Sequence, residues 1–329
     1  MSVRTCWLGV MLGLLFASTA GEVAAQPTAK TARIGIISLT TDPARPGPQW
    51  SAFVEALRGL GYAEGSSIVI ERRFAAGRSQ QLPGFAAELV RLGVDVIVVS
   101  GPREIEAARG ATTTIPIVVI AAPDLVASGL IASLARPGGN ITGLTLGAPG
   151  IGGKYVELLR EAVPSVTRVA VLITRQPVTG VLEEMQDKAR ALNVVLPAPT
   201  FLHTPDEFDA AFARVKRDRA GGLVFPSDGV TDPQRRQLVS LAAKYRLPAI
   251  YPQREYVEAG GLMAYGPNAA DLHRRAAAYV DKILRGAKPA DLPMEQPAKL
   301  DLLLNLRTAG ALGVTFPATL VTRADEVVK

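Results

Sequence analysis

Short apolar runs alternate with longer stretches in which apolar positions recur every third or fourth residue, beginning near Arg33. Residues 34–38, 68–73, 94–100 and 116–120 predict strands, and residues 49–60, 80–92 and 104–111 between them predict helices. That alternation builds a parallel sheet with helices over both faces. Residues 112–144 then change role three times. Ile115 to Ile120 is β-branched and apolar, as a strand covered on both sides must be. Its carboxyl end turns through Ala121-Ala122-Pro123-Asp124, the position at which open α/β sheets hold ligands. Residues 125–134 predict a helix, stopped by Arg136-Pro137-Gly138-Gly139-Asn140, and residues 141–144 start an extended segment that leads out of the first sheet. Residues 115–135 carry one charge, yet Pro116, Pro123 and Asp124 argue against a membrane span.

Beyond this exit the pattern restarts. Helices are predicted at 154–162, 182–192, 206–219 and 233–245, and strands at 169–173, 194–196, 222–225 and 249–251. Two sheets of similar size are the simplest account. Residues 261–264 predict a last strand broken at Tyr265-Gly266-Pro267, followed by a helix at 269–285 and an extended connection to 300–304. No sequence repeat relates the halves.

Composition adds a compartment. Arg4 precedes an apolar run at 7–17, and Val23-Ala24-Ala25 supplies small residues, so residues 1–25 read as a secretory signal cleaved after Ala25. Its removal takes away Cys6, the only cysteine, which excludes disulfides and thiol chemistry from the mature chain. The net charge of +6 does not point to nucleic acid, because Arg72-Arg73, Lys216-Arg217, Arg235-Arg236 and Arg274-Arg275 are scattered among acids without an aromatic platform.

Enzymatic machinery is not visible. His203 and His273 lack partners at metal-ligand spacing and read as surface residues, no P-loop or dinucleotide fingerprint is present, and no serine stands in a nucleophile elbow. No catalytic residue, metal or cofactor is therefore expected. Binding needs only polar groups converging at strand ends. Those ends offer Ser38, Leu39, Ser100, Gly101 and Asp124 from the first half, and Thr174, Arg175, Asp228 and Glu255 from the second, with Tyr265 where the chain crosses. An amino acid would place its carboxylate on backbone N–H groups at helix starts after Ser38 and Ser100. Its ammonium would suit Asp124, Asp228 or Glu255, and its side chain a slot floored by Tyr265 or Tyr251. Helix capping is the ordinary alternative role for each acid.

The phrases TTTIPIV at 112–118, PDLV at 123–126 and GLIASLARPGGNITG at 129–143 resemble the ABC-transporter substrate-binding protein family that includes tryptophan-binding receptors. GLGYAEG at 59–65, LPAIYP at 247–252, REYV at 254–257, GGLMAYGP at 260–267 and GAKPADLP at 286–293 continue the resemblance in order. It implies an α/β fold of type I periplasmic binding protein kind, with two Rossmann-like lobes of parallel strands joined by a three-crossing hinge. Residues 31–143 plus 266–292 would form lobe 1, and 144–265 plus 293–329 lobe 2. The implied product is a monomeric periplasmic receptor that holds a small molecule for an inner-membrane ABC permease and ATPase. A sensor module for a membrane signalling partner, or an enzyme on the same fold, are the alternatives. Where the family places an Asn-Pro-x-Asn turn, this chain has Thr174-Arg175-Gln176-Pro177, which argues for a more acidic ligand than an aromatic amino acid.

Overall fold

The computed structural model describes residues 31–39, 43–44, 47–122, 125–173, 180–226 and 234–329. The expected signal segment, residues 1–25, and Asp124, Thr174, Arg175 and Asp228 lie outside the described residues. Among the described residues no helix is long and apolar enough to cross a membrane.

The first sheet is built from β1 (Ala32–Ser38), β2 (Ile68–Phe74), β3 (Val96–Val99), β4 (Ile117–Val119) and β5 (Ile141–Gly143). Its order is β2-β1-β3-β4-β5 and every pairing is parallel. Helices α1 (Pro48–Gly59), α2 (Leu82–Arg91) and α3 (Pro102–Ala111) connect the strands. In α1, Trp50, Phe53 and Leu57 fall on one stripe and are buried against Ile34, Ile36, Val96 and Val98. Helix α9 (Ala269–Leu284), far away in sequence, covers the same face with Leu272, Ala276 and Val280. The opposite face packs on α2 and α3 through Leu82, Ala86, Leu89 and Ile105. Gly35 makes this possible on β1, because a Cβ there would lie 2.7 Å from a methyl carbon of Leu89.

The second sheet has the order β12-β11-β10-β9-β8-β6-β7. Its strands are β6 (Val169–Ile173), β7 (Thr200–Phe201), β8 (Gly222–Val224), β9 (Ala249–Tyr251), β10 (Met263–Pro267), β11 (Leu300–Asn305) and β12 (Glu326–Val328). One face carries α4 (Ile151–Ala162), α5 (Val181–Ala191), α10 (Leu306–Leu312) and α11 (Ala318–Arg323). The other carries α6 (Phe208–Arg217), α7 (Arg235–Lys244) and α8 (Arg254–Glu258). Helices α4 and α5 meet closely because Gly152 has no side chain; a Cβ there would stand 2.2 Å from the Val181 carbonyl oxygen.

Three expected elements differ. Residues 125–134 form successive turns rather than a helix. Gly129 adopts φ +68°, and Leu130 and Ile131 donate back to the Leu125 carbonyl, which closes the segment on itself. Residues 194–196 contribute a single bridge, between Arg168 and Val195. Pro197 and Pro199 follow, and pairing with β6 resumes only at Thr200. The strand expected to break at Tyr265 runs on to Pro267, because β11 lies antiparallel beside it from Met263–Leu304 to Pro267–Leu300. It is also not the last, since β11 and β12 follow it in the sheet.

The chain passes between the sheets after β5, after β10 and before β11. The returning pass stays with the first sheet as far as Glu295: the Thr142 hydroxyl donates to the Leu292 carbonyl at 2.8 Å, and Glu295 N–H donates to Gly143 O at 2.9 Å.

Candidate functional site

In a parallel sheet every carboxyl end faces the same way, so polar groups following those ends gather on one edge. On the first sheet Ile37 pairs with Val99, which sets the residues that follow, Ser38-Leu39 and Ser100-Gly101, side by side. Ser38 is buried and Ser100 is half-buried. The structure thus brings four of the expected residues together at the end of one sheet.

What holds them is a residue the sequence reading passed over. Glu104, in the first turn of α3, is only 3 % exposed, and its carboxylate accepts the Leu39 N–H at 2.8 Å. Gly101 leaves room for it, since a Cβ at Gly101 would lie 2.7 Å from Glu104 Oε2. Burial pushes the Glu104 carboxyl above its ordinary range, against the lowering effect of two backbone N–H groups and of the Arg103 charge. The signal was present in the sequence as an acid in the third position of a helix beginning Gly-Pro, the capping position. A carboxylate of the protein thus stands at the start of α3, where the sequence led us to expect that of a ligand. The start of α4 is filled in the same manner, with Gly150 and Gly152 N–H donating to the Glu184 carboxylate at 2.7 and 2.9 Å.

On the second sheet Glu255 lies in the first turn of α8, directly beyond β9, and is partly exposed. Tyr265, on β10, is partly buried and meets Tyr155 of α4 edge-on, with ring centroids 6.4 Å apart. Burial raises its phenol, reinforced by the charges of Glu157 and Asp325. Tyr251 is fully buried in a stack between Phe225 and Tyr256, at 5.0 and 4.9 Å, so it belongs to the core rather than to a ligand slot.

The passes between the sheets are tightly built. Gly143 has φ +129° and a Cβ there would stand 2.1 Å from Val119 O; at Gly266 it would stand 1.9 Å from Pro252 O. Asn268 caps α9 by accepting the Asp271 N–H at 2.8 Å, and its amide donates to Asp301 of β11 at 2.5 Å. Lys299 closes on Asp301 at 3.0 Å and on Asp325 at 3.4 Å. Thr145 reaches back to the Ala122 carbonyl at 2.9 Å, and Arg275 of α9 pairs with Glu295. The bonds from Asn268 to Asp301, Lys299 to Asp325, Thr145 to Ala122 and Arg275 to Glu295 were not foreseen, because each joins residues distant in sequence.

His273 is not a surface residue. It is 7 % exposed, its Nδ1 lies 2.7 Å from the Ala269 carbonyl, and its ring meets Trp50 edge-on at 4.8 Å. Burial lowers its pKa to about 4, so the imidazole is neutral at pH 7. A cavity of about 580 Å³ lies between α2 and α3, lined by Leu82, Pro83, Ala87, Arg103 and Ala107. It is set among helix side chains, apart from Ser38, Ser100 and Tyr265. Among the described residues no three His, Cys, Asp or Glu side chains are grouped to hold a metal.

The sequence profile described as "ABC transporter substrate binding protein" matches residues 33–328. A tyrosine-binding protein of Clostridioides difficile strain R20291 is 25% identical over 285 residues, covering 86% of this chain and 81% of that one. Among solved structures, a conserved domain protein from Vibrio cholerae superposes with TM-score 0.79 at 24% identity, covering 91% of this chain and 100% of the other. The Streptococcus pneumonia ABC domain in complex with L-Trp also gives 0.79, at 22% identity with 91% and 100% covered. A ligand-free, open substrate-binding protein with adhesive properties from Clostridium difficile gives 0.69 at 24% identity, with 91% and 99% covered.

Proposed function

Because the chain belongs to the ABC transporter substrate-binding protein family, we propose that it is the exported receptor of an ABC importer and that it binds an amino acid between its two α/β lobes. The observation that carries this reading is the profile match across residues 33–328, on a scaffold whose strand ends gather polar groups rather than catalytic ones. Relatives named for tyrosine binding or solved with L-Trp support an amino acid as the guest. The first lobe would contribute Ser38, Leu39, Ser100 and Gly101 and the second Glu255 and Tyr265; Asp124, Thr174, Arg175 and Asp228, which lie outside the described residues, are the remaining candidates. The bound molecule is released unchanged to a permease and its ATPase in the inner membrane, and the receptor works as a periplasmic monomer after cleavage near Ala25.

Ligand binding shifts an open–closed equilibrium only through a tighter grip on the closed form. Anything that binds the folded chain alone also raises its stability, by about 2.7 kcal/mol at ~100-fold excess over Kd. A thermal-shift screen of the mature protein against the common amino acids and small carboxylates tests the proposal. An amino acid at millimolar concentration raises Tm by a few degrees. No shift with any compound contradicts it.

A further inference from the structure

In the second sheet the parallel strands begin on the edge opposite their carboxyl ends, and arginines line that edge. Arg168 directly precedes β6, Arg219 lies in the turn from α6 to β8, and Arg246 in the turn from α7 to β9. The register sets them along one row: Val169 pairs with Gly222, Leu223 with Ala249 and Ile250 with Met263, and the Gly221 N–H donates to the Arg168 carbonyl at 2.9 Å. Strand β11 runs antiparallel to β10, so its carboxyl end brings Leu306 and Arg307 to the same edge. Two large apolar side chains bracket the row: Val195, bridged to Arg168 and 49 % exposed, and Leu306, 38 % exposed.

Local structure does not call for these cations. Arg219 and Arg246 adopt φ +60° and +51°, the left-handed region in which a bulky side chain costs free energy. Asn193 fills the corresponding position after α5, and Gly61 and Gly93 fill it in the first sheet. The helix dipole accounts for basic residues within a last turn, such as Lys216 and Arg217 of α6, but Arg219 and Arg246 stand beyond it. Arg168 and Arg219 make no ion pair among the described residues, while Arg246 and Arg307 donate to the carbonyl oxygens of Ala311 and Lys329, at 3.4 and 3.3 Å. The neighbouring acid, Asp218, lies 3.9 Å from Arg214.

We propose that this edge is a docking surface for an anionic phospholipid bilayer, on which the arginines take headgroup phosphates and Val195 and Leu306 enter the boundary between headgroups and acyl chains. A guanidinium presents a planar fork that bonds phosphate oxygens in pairs. A row of such forks with apolar residues at both ends fits a surface that is anionic outside and apolar beneath, which a soluble anion is not. The carboxyl ends of the parallel strands then face away from the bilayer, so docking leaves the candidate site open.

The test is co-sedimentation of the mature protein with vesicles of equal parts phosphatidylcholine and phosphatidylglycerol, and with vesicles of phosphatidylcholine alone, at low and at high salt. The wild type sediments with the anionic vesicles at low salt, stays in solution with the neutral ones, and is released as salt screens the headgroups. Arg168→Gln, Arg219→Asn and Arg246→Asn each lower the bound-to-free ratio about fivefold. Arg219→Lys and Arg246→Lys keep it near the wild-type value. Tm is the folding control, and the two asparagine variants melt at or above the wild type because asparagine tolerates the left-handed backbone. Arg58→Gln and Arg91→Gln, in the last turns of α1 and α2, lower the net charge equally and leave the ratio close to wild type. Wild-type protein that ignores anionic vesicles at low salt, or binds neutral ones as well, overturns the inference. So does a loss in Arg58→Gln and Arg91→Gln as large as in the asparagine variants, since net charge rather than this edge would then be at work.

Discussion

Single side chains carry more of the account than their sequence context advertises. His273 stands between acids and arginines, but the helical period places it with Ala276, Ala277 and Val280 on the face of α9 that meets the first sheet. A stripe count would have found it. Its folded pKa of about 4 lies below the unfolded value of 6.5, so the unfolded chain binds a proton that the folded chain refuses. Stability from this residue is complete above pH 6.5 and is lost as pH falls towards 4, by roughly 3 kcal/mol in all. Urea unfolding of the wild type and of His273→Gln should therefore converge across that window, the wild type losing stability faster as acid is added. Parallel curves would contradict the burial. Trp50, the one tryptophan beyond residue 25, reports the same event, since a protonated imidazole 4.8 Å away quenches it only near pH 4. Glu104 shows the limit of pattern reading: its place in the first turn was legible, but its bond to Leu39, 65 positions back, was not.

Whole strands and helices were read well wherever packing agreed with local pattern. The strand at Ala249–Tyr251 and the apolar runs of β1 and β6 stand where their side chains require. Failures fell where backbone chemistry overrode pattern, as at Gly129 and at Pro197 and Pro199, or where a distant partner strand extended β10. The connections between the sheets are the least legible parts and the most tightly built. Gly266→Ala would force the Pro252 carbonyl away from β10 and should cost about 2 kcal/mol or more, measured as a lowered urea midpoint. Asn268→Ala removes the cap of α9 and its bond to Asp301 together, and should cost about 1–2 kcal/mol. If that bond also restrains the passes, the variant shifts apparent ligand affinity without touching the proposed site. A stability identical to wild type would show that neither bond matters.

Taken whole, the chain is two sheets, each covered by helices, joined at three passes whose polar bonds reach from one part to the other. That organisation was legible from the alternation of strands and helices and from the family resemblance. The convergence of particular side chains was not, because spacing does not fix the direction in which a side chain points. The account holds that this scaffold grips an amino acid and leaves it chemically as it was. Native mass spectrometry of the mature protein, incubated in turn with each common amino acid, tests that most directly. The predicted spectrum shows one amino acid adding its intact mass at one copy per chain. Bare protein in every sample, or a bound or released compound of altered mass, would contradict it.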